Sequence, residues 1–519
     1  MTKPAFKQEL FTESGGSSNA ADRPNLVVRL FYWIVRKIKQ IVIWTIALVL
    51  LALLTSAVLS TFRKKLEPWQ ASYPKSEFTE ADYRPDMTLN DYLAIEDRVF
   101  SELPQYMVPG DSGRYSKFFR YVEGSSMNPL NFEVNWNRTI ELAPDKIRGG
   151  ILLLHGLSDS PYSTKHIGEV FNKYGFYVLN MRMPGHGTVP AGLLDVRWQD
   201  WYSAVRIGAK HVREKIGKDA PFFIGGYSNG GALALYYTSN AILNKTDPIP
   251  EQLFLFSPAV GITAFARASN WHKLFTWHPL FEKNKWLSLE LEYDPYKYNS
   301  FTKNAGAQSW YLSKAIQHNL DRVADADKMR EMPPVITFQS AVDATIVGKK
   351  IVTDLYQRLP NNGSELVVFD VNHEADLIPF FSVDPHATLR LLEFDQPLNY
   401  AVTIVTNRGG GYKIVAKTRQ AGETTVTETP LGREWPFGIF SLSHVAIPFA
   451  PEDPIYGDGS GAPPGTRATL GTLAPRGERD VLSIAAGQLM RLRYNPFFFY
   501  IEQQLHRHAE NAVTRDKTN

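Results

Sequence analysis

The chain has 519 residues, which is long for a single domain, so one or two domains are expected. Apolar residues make up 44% and charged residues 21%, as in an ordinary globular protein. The net charge of +3 is nearly balanced, so the sequence carries no signature of a nucleic-acid-binding surface. Because the chain has no cysteine, disulfides, thiolate catalysis and cysteine–zinc sites are excluded.

A membrane anchor is predicted near the N-terminus. Residues 1–40 are expected to be a disordered and interfacial segment, in which residues 1–26 are polar and the run Val27–Val35 is aromatic and basic. Ile41–Phe62 follows without a charge, and at 1.5 Å per residue it spans about 33 Å, enough to cross a bilayer core. Basic residues flank both ends, so the charge bias only slightly favours a cytoplasmic N-terminus. We expect a single-pass protein of the plasma or inner membrane; the alternative is a buried core helix.

The main domain is expected over residues 116–510, after a linker over residues 63–115 and before a tail over residues 511–519. Phe118–Val122 and Phe132–Leu142 alternate apolar and polar residues, which predicts exposed antiparallel strands. Short apolar runs then alternate with helical patterns: Gly150–Leu154, Phe176–Met181, Pro221–Gly225, Leu253–Phe256, Val335–Gln339 and Glu365–Val371. This alternation predicts an α/β fold, with a mostly parallel sheet, helices on both faces and functional residues at the carboxyl ends of the strands.

A candidate nucleophile follows the third of these runs. The sequence GYSNGG, at Gly226–Gly231, stands between a predicted strand and a predicted helix. The pattern G-x-S-x-G in that setting predicts a tight, strained turn that exposes the hydroxyl of Ser228. The alternative interpretation is a glycine-rich strand-to-helix turn in which the serine is incidental.

Two further loops follow predicted strands. His155-Gly156-Leu157 comes directly after the first strand, and the backbone amides of Leu157 and Asn229 are candidates for a two-donor oxyanion hole. Pro184–Thr188 (PGHGT) follows the second strand. Its histidine, His186, is expected to shape the turn rather than to act as a base.

Four motifs in this region resemble the α/β-hydrolase superfamily, and most of all its monoacylglycerol lipase, bacterial carboxylesterase and serine aminopeptidase group. They are HGLSDSP, MRMPGHGT, WQDWYSAV and GYSNGG, and they occur within Gly150–Leu235 in the family's order and at about its spacing. The resemblance implies an α/β-hydrolase fold and a Ser-Asp-His triad in that chain order. It also implies that no metal or cofactor is needed.

The triad's acid is expected after the strand that follows the family's cap, and Asp343 fits that place. An aspartate there would hold the imidazole in the required tautomer and stabilise the imidazolium. The alternative is that Asp343 only supplies charge at a helix N-terminus, since the helix-like run Val347–Arg358 follows.

The triad's base has two candidates. His373 lies directly after the strand Glu365–Val371, at the simple family spacing, but small residues do not precede it. His444 follows small residues and precedes Val445, as in the lipase pattern. Choosing His444 requires a β-rich insertion over about residues 380–438, in which Tyr400–Thr406 and Tyr412–Lys417 would form a hairpin. We favour His444 and keep His373 as the alternative.

A helical cap is expected over about residues 262–331, where the family inserts one. Its aromatic residues include Trp271, Trp277 and Trp286, which would bind an apolar part of the substrate or only pack the cap onto the sheet. Pro496–His506 is amphipathic and is predicted to be the last helix that covers the sheet.

These features predict a membrane-anchored serine hydrolase that cleaves carboxylic esters through an acyl-enzyme. Its substrates would be lipid-derived or small esters, with monoacylglycerol-like lipids as one class, and no nucleic acid would be involved. One alternative is a peptidase like the serine aminopeptidases, which would hold a substrate amine with cap carboxylates among Glu282, Glu290, Glu292 and Asp294. Another is a hydrolase fold without activity that serves as a membrane-tethered binding module.

Overall fold

The structure is a computed structural model that describes residues 26–110, 118–261, 278–346, 348–374, 378–382, 384–392, 396–407, 411–464, 466, 469–473 and 486–515. The chain divides into two compact units, Met1–Arg63 and Lys64–Asn519.

The described residues of the first unit, 26–63, form the helix α1 over Leu26–Phe62. Its 37 residues span about 55 Å, and its apolar side chains are exposed. Among the described residues it is the one helix that is long and apolar enough to cross a membrane, by length and composition alone. The predicted interfacial segment and the predicted span are therefore continuous parts of a single helix. The side chains of α1 are exposed, whereas those of a buried core helix, which was the alternative, would not be.

Twelve strands are found in the part of the second unit that the structure describes. They are β1 (Ile140–Leu142), β2 (Gly149–Leu154), β3 (Phe176–Met181), β4 (Phe222–Tyr227), β5 (Gln252–Phe256), β6 (Trp286–Ser288), β7 (Phe301–Thr302), β8 (Val335–Ser340), β9 (Glu365–Phe369), β10 (Ala401–Asn407), β11 (Lys413–Arg419) and β12 (Val426–Glu434). Ten of them form one sheet in the order β1-β3-β2-β4-β5-β8-β9-β10-β11-β12. Neighbouring strands from β3 to β10 are parallel, and β1, β11 and β12 are antiparallel to their neighbours.

Helices after α1 are α2 (Pro68–Ala71), α3 (Leu89–Ser101), α4 (Lys165–Lys173), α5 (Trp198–Ile216), α6 (Asn229–Asn244), α7 (Lys303–Asp325), α8 (Gly348–Asp354), α9 (Ala486–Leu489) and α10 (Phe498–Arg515). Helix α10 takes the place of the predicted final helix but begins later and runs longer than Pro496–His506. Helix α8 occupies the first part of the predicted run Val347–Arg358, and a 3₁₀ turn over Tyr356–Arg358 follows it.

Both faces of the sheet are buried, because successive side chains of a strand point to opposite sides. On β2, Leu152 and Leu154 belong to one core cluster, together with residues of α5, α6 and α7. Ile151 and Leu153 belong to a second cluster, together with residues of α4 and α10. The mostly parallel sheet with helices on both faces is confirmed.

The segment expected to be a linker, residues 63–115, is instead built into the second unit over its described part. Phe78 and Tyr92 lie in the same core cluster as the sheet, and Trp69 is buried in another cluster. The carboxylate of Glu77 pairs with the buried guanidinium of Arg182 at the end of β3. The segment packs against the domain because burial of these large aromatic side chains stabilises the folded protein.

Two expectations about strands were wrong in extent. Only Ile140–Leu142 of the predicted strand Phe132–Leu142 is a strand, and it pairs antiparallel with β3. Over 118–122, the structure has turns and a single bridge between Val122 and Val108. Alternating polarity also occurs in irregular segments whose apolar side chains pack on a core, as Phe119 and Tyr121 do here.

The predicted hairpin in the insertion is present as β10 and β11, and it is part of the main sheet. Strand β10 pairs parallel with β9, β11 returns antiparallel to β10, and β12 adds a further strand. This arrangement extends the sheet by three strands before the chain reaches His444.

The described part of the predicted cap contains a 3₁₀ segment at Pro279–Lys285, the two-stranded pair β6–β7 and the helix α7. Leu312 and Ile316 of α7 lie in the core cluster that also contains residues of α6. Residues 262–277 lie outside the described residues.

Candidate active site

Ser228 stands at the corner between β4 and α6. Its backbone has φ 52° and ψ −112°, which lies outside the regions that non-glycine residues normally adopt. The corner is closed so tightly that a Cβ on Gly226 would lie 2.4 Å from the carbonyl carbon of Gly230. A Cβ on Gly230 would lie 2.1 Å from the carbonyl oxygen of Leu154. The two glycines of G-x-S-x-G are therefore required by sterics, and the serine is held in a strained conformation.

The imidazole of His444 joins Ser228 to Asp343. Its Nε2 lies 3.0 Å from the Oγ of Ser228, and its Nδ1 lies 2.7 Å from the Oδ2 of Asp343. Because an ionised carboxylate only accepts hydrogen bonds, the proton of the neutral ring is on Nδ1. Nε2 is then left to accept the hydroxyl proton of Ser228. This is the arrangement in which a histidine can act as a general base toward a serine.

The carboxylate of Asp343 is fully buried and well supplied with donors. The amides of Thr345 and Ile346 donate to its Oδ1, and Nε2 of Gln339 donates to its Oδ2. Burial by itself raises the pKa of this carboxyl. The adjacent His444 and these amide hydrogen bonds outweigh burial, so the pKa of Asp343 is lowered from its usual value and the ionised form is favoured.

His373 lies elsewhere. Its Nε2 is 2.7 Å from the Oδ2 of Asp370, and its ring stacks on that of His386 with centroids 5.6 Å apart. The hydrogen bond to Asp370 raises the pKa of His373. Of the two histidines that the sequence offered as the base, the structure brings His444 to Ser228, and His373 forms a separate pair with Asp370.

The two predicted oxyanion-hole residues both line the cavity that contains Ser228 and His444. Leu157 follows Gly156, where a Cβ would lie 2.7 Å from the Oδ2 of Asp159 and 2.8 Å from the ring of Tyr227, so a side chain at that position would force a neighbour to move. Asn229 is the first residue of α6, whose first amides have no acceptor within the helix. Its side-chain Oδ1 accepts a hydrogen bond from Ser309, 2.7 Å away.

His155 and His186 are fully buried, and their rings contact each other with centroids 4.9 Å apart. Nδ1 of His186 bonds to the carbonyl of Pro184 at 3.0 Å, and the amide of Met183 donates to Nε2 of His155. Burial lowers the pKa of His155 to about 3 and places the pKa of His186 well below its usual value. Both rings are therefore neutral and hold the turn together, as expected for His186.

A cavity of about 450 Å³ opens beside Ser228. Its apolar lining includes Leu157, Leu287, Phe301, Ile346 and Phe449. Its charged lining consists, among the described residues, of Asp159, Lys297, Lys303, Arg491 and Arg493. Asp159 lies in the motif HGLSDSP, but apolar runs and catalytic motifs give no signal for the four cations.

The tryptophans expected to bind substrate are placed differently. Trp271 and Trp277 lie outside the described residues. Trp286 is fully buried in a cluster with Trp69 and Tyr121, and the cavity is lined by its neighbour Leu287 instead. Trp286 is on the short strand β6, where successive side chains point to opposite sides, and this explains why one residue packs inward and the next faces the cavity.

No group of three or more histidine, aspartate or glutamate side chains that could hold a metal ion occurs within the described residues.

Comparison with known proteins agrees with this architecture. The family model described as serine aminopeptidase, S33, matches residues 145–370. A thermostable monoacylglycerol lipase from Bacillus sp. (strain H-257) is 32% identical over 87 residues, which is 17% of this chain and 34% of the relative. The aligned part thus spans about a third of that relative's length.

Solved structures were also found. One, reported for the metagenome-derived lipolytic enzymes LipS and LipT, is 18% identical, covers 50% of this chain and 98% of its own, and has a TM-score of 0.37. Another, a monoacylglycerol lipase from Paleococcus ferrophilus, is 18% identical, covers 43% of this chain and 83% of its own, and has a TM-score of 0.31. The family match over residues 145–370, the parallel sheet and the strand-to-helix corner at Ser228 place this domain in the α/β-hydrolase superfamily.

Proposed function

We propose that this protein is a membrane-anchored serine hydrolase that cleaves carboxylic esters of lipid-derived or small molecules. The observation that carries the proposal is the single imidazole of His444, which hydrogen-bonds both the Oγ of Ser228 and the carboxylate of Asp343. Such a chain of contacts makes a serine hydroxyl nucleophilic, since the base takes its proton as the bond to carbon forms.

In the proposed mechanism, Ser228 attacks the ester carbonyl while Nε2 of His444 takes the hydroxyl proton. The backbone amides of Leu157 and Asn229 stabilise the oxyanion, and losing one such donor typically costs about 3 kcal/mol of transition-state stabilisation. His444 then protonates the leaving alcohol, and an acyl group remains on Ser228. Water, activated by the same imidazole, releases the acid and restores the serine. Asp343 keeps the ring oriented and stabilises the imidazolium.

Ester substrates are favoured over peptides by the charges that line the cavity. An aminopeptidase needs a carboxylate that is available to hold the substrate's amine. The lining carboxylate among the described residues, Asp159, is already paired with Lys297 at 2.9 Å. Of the carboxylates suggested from the sequence, Glu292 accepts the amides of Asn299 and Ser300.

Asp294, a further one of those carboxylates, pairs with Arg493 and Tyr456. The aminopeptidase reading remains the second candidate because the matching family model carries that description. Turnover of an aminoacyl p-nitroanilide that exceeds turnover of p-nitrophenyl esters would favour it.

Membrane anchoring through residues 41–62 is part of the proposal. The support for it is helix α1, which is exposed, apolar and longer than a bilayer core requires. An anchor would keep the enzyme among lipid substrates, and the N-terminus is proposed to be cytoplasmic.

The experiment that tests the core of the proposal is labelling with a fluorophosphonate probe, followed by mapping of the modified residue. We expect the full-length protein in detergent to be labelled at Ser228, and the variant Ser228→Ala to lose both labelling and hydrolysis of p-nitrophenyl esters. Because residue 228 has a positive φ, which glycine adopts without strain, Ser228→Gly serves as a second variant that the corner can accommodate. A protein that folds but does not react with the probe would be the inactive binding module, and the hydrolase proposal would be rejected.

A further inference from the structure

The cavity beside Ser228 carries an excess of positive charge. The described residues that line it include four cationic side chains and one carboxylate: Lys297, Lys303, Arg491, Arg493 and Asp159. A neutral lipid ester needs no such charge. An anionic part of a substrate would bind here only to a cation that a carboxylate does not already hold.

Two of the cations are held by buried carboxylates. Nζ of Lys297 lies 2.9 Å from the Oδ1 of Asp159, and Nη1 of Arg493 lies 3.3 Å from the Oδ2 of Asp294. Both carboxylates are almost completely buried. These pairs fix the walls of the cavity, and breaking either one to bind substrate would leave a buried charge without its partner, which is costly.

Arg491 is placed differently. It is exposed, it lines the cavity, and it donates to the hydroxyl of Thr345 at 3.3 Å. Within the described ranges, no carboxylate lies within ion-pair distance of it. Thr345 is two residues beyond Asp343, and its backbone amide donates a hydrogen bond to the carboxylate of Asp343. Arg491 therefore contacts the loop that carries the acid of the proposed triad. A guanidinium has five donors and binds a carboxylate or a phosphate through two parallel hydrogen bonds.

The first turns of α7 also contribute positive charge to the cavity. Lys303, Gly306 and Ser309 of this helix line the cavity, so its N-terminal end faces the space where Arg491 lies. The N-terminus of a helix carries a partial positive charge that favours anions. The apolar lining residues Leu287, Phe301 and Ile346 could meanwhile accommodate a hydrocarbon chain.

We propose that Arg491 binds an anionic group of the substrate, a carboxylate or a phosphate, so that the preferred substrates are negatively charged esters. The inference rests on the proposed ester hydrolysis and specifies the substrate class of that site. Two sources share this chemistry, namely a lipid with a phosphate headgroup and a soluble ester with a carboxylate on its acyl chain.

The experiment uses the full-length protein in a neutral detergent with two matched substrate pairs. The first pair is a monoacylglycerol and the lysophosphatidic acid with the same acyl chain, which differ by one phosphate. The second pair is p-nitrophenyl valerate and the mono-p-nitrophenyl ester of glutaric acid, which differ by a terminal carboxylate. The measured quantity is the ratio of kcat/KM for the anionic ester to kcat/KM for its neutral partner.

We expect the wild-type ratio to exceed one in at least one pair, and that pair identifies the source of the anion. Arg491→Gln should lower this ratio by about 10- to 100-fold, the usual effect of losing a charge-assisted hydrogen bond, while turnover of the neutral ester is kept. The control is Arg433→Gln, because Arg433 is an exposed arginine on β12 that does not line the cavity. Both variants remove one surface charge, so a change seen only in Arg491→Gln is local. Raising the salt to about 0.15 M should also lower the wild-type ratio, because the attraction is screened.

Two results would overturn the inference alone: a wild-type ratio of one or less in both pairs, or equal losses for charged and neutral esters in Arg491→Gln. In either case the neutral esters are still hydrolysed and the probe still labels Ser228, so the proposed function stands. If the wild-type protein hydrolyses none of the four esters and is not labelled, both the function and the inference fail.

Discussion

Ser228, His444 and Asp343 come from three distant parts of the chain, and each is held by its own local structure. The serine is fixed by a glycine-lined corner, the aspartate by amides of its own loop, and the histidine by hydrogen bonds at both ring nitrogens. Tyr227 adds a weaker contact of 3.4 Å from its hydroxyl to the carbonyl of His444. Residues held in this way need little rearrangement to react, which is why their individual removal should be so costly.

The choice between the two histidines gives the first prediction. His444→Ala should lower kcat/KM for a p-nitrophenyl ester by about 10⁴-fold or more, because the variant lacks the proposed general base. His373→Ala is the matched control and should stay within a small factor of the wild type, since His373 bonds to Asp370. Full activity in His444→Ala together with loss in His373→Ala would reverse the assignment.

A second prediction concerns the tautomer of His444. In Asp343→Asn, the side-chain amide can donate a hydrogen bond to Nδ1 of His444. The ring proton would then be on Nε2, and Nε2 could no longer accept the hydroxyl proton of Ser228. We expect kcat to fall by about 10⁴-fold. Circular dichroism should show an unchanged fold, because asparagine keeps the size of the side chain. If activity is retained, Asp343 is only a cap for the loop that leads into α8.

Among the secondary-structure elements, strand ends of the central sheet carry most of the residues to which we assign a function. Leu157 follows β2, Ser228 follows β4 and Asp343 follows β8, all at the carboxyl ends of parallel strands. His444 is the exception, since it comes after β12 and not directly after β9. Helix α6 begins close to the end of β2. This close approach of the two backbones restricts the residue types that fit at the corner.

Gly230→Ala tests the close approach. The added methyl group would lie 2.1 Å from the backbone oxygen of Leu154, and no side chain can move to relieve it. We expect a loss of about 3 kcal/mol or more in the free energy of unfolding, since overpacking against backbone is not relieved by rotamer changes. Gly411→Ala is the control, because nothing lies within 4 Å of the position its Cβ would take. Equal thermal stability of the two variants would contradict this account of the corner.

The contact between the loops after β2 and β3 predicts a pH dependence of stability. The pKa of His155 is lowered to about 3 in the folded protein, whereas an unfolded histidine has a pKa of about 6.5. Its contribution is therefore fully present above about pH 6.5 and is lost as the pH falls toward 3, with a slope of about 1.4 kcal/mol per pH unit. His186 acts in the same direction, because its pKa is lowered too.

The measurement is the apparent Tm of the full-length protein between pH 8 and pH 5. His155→Gln should be less stable at pH 8 but should lose less stability on acidification, because one of the two buried rings no longer has to take up a proton. Parallel pH profiles for the wild type and His155→Gln would show that His155 does not carry the effect.

For the molecule as a whole, the chain divides in sequence between Arg63 and Lys64 into two units. The segment after this boundary is folded into the second unit through Trp69, Phe78 and Tyr92, so a cut further along the chain would expose these side chains. The described part of the first unit is a helix whose apolar side chains are exposed, and an exposed apolar surface of this kind is typical of a segment that contacts a membrane or another protein.

Deletion of residues 1–63 tests this division. The remaining chain should be soluble without detergent and should hydrolyse a short soluble ester with kcat/KM close to that of the full-length protein. The full-length protein should remain in the membrane fraction after alkaline carbonate extraction, and the variant should not. A truncated protein that aggregates, while a deletion of residues 1–40 gives a protein released from membranes, would show that the anchor is placed wrongly.

Features that depend on neighbouring residues could be predicted from the amino-acid sequence. Apolar runs of strand length mark β2 to β5, β8 and β9, and the glycines around Ser228 predict the tight corner, because both patterns report local packing and local sterics. The long apolar run before Phe62 predicts a helix able to cross a bilayer for the same reason.

Contacts between side chains that are far apart in the sequence could not be predicted in the same way. Ser228 and His444 are 216 residues apart, and three inserted strands separate β9 from the histidine, so spacing alone left His373 as an alternative. The sheet order brings the chain back after β12. The burial of Trp286, the packing of the expected linker and the cations of the cavity are likewise long-range contacts. No local pattern reports such contacts, because residues far apart in sequence come together only once the whole sheet has formed.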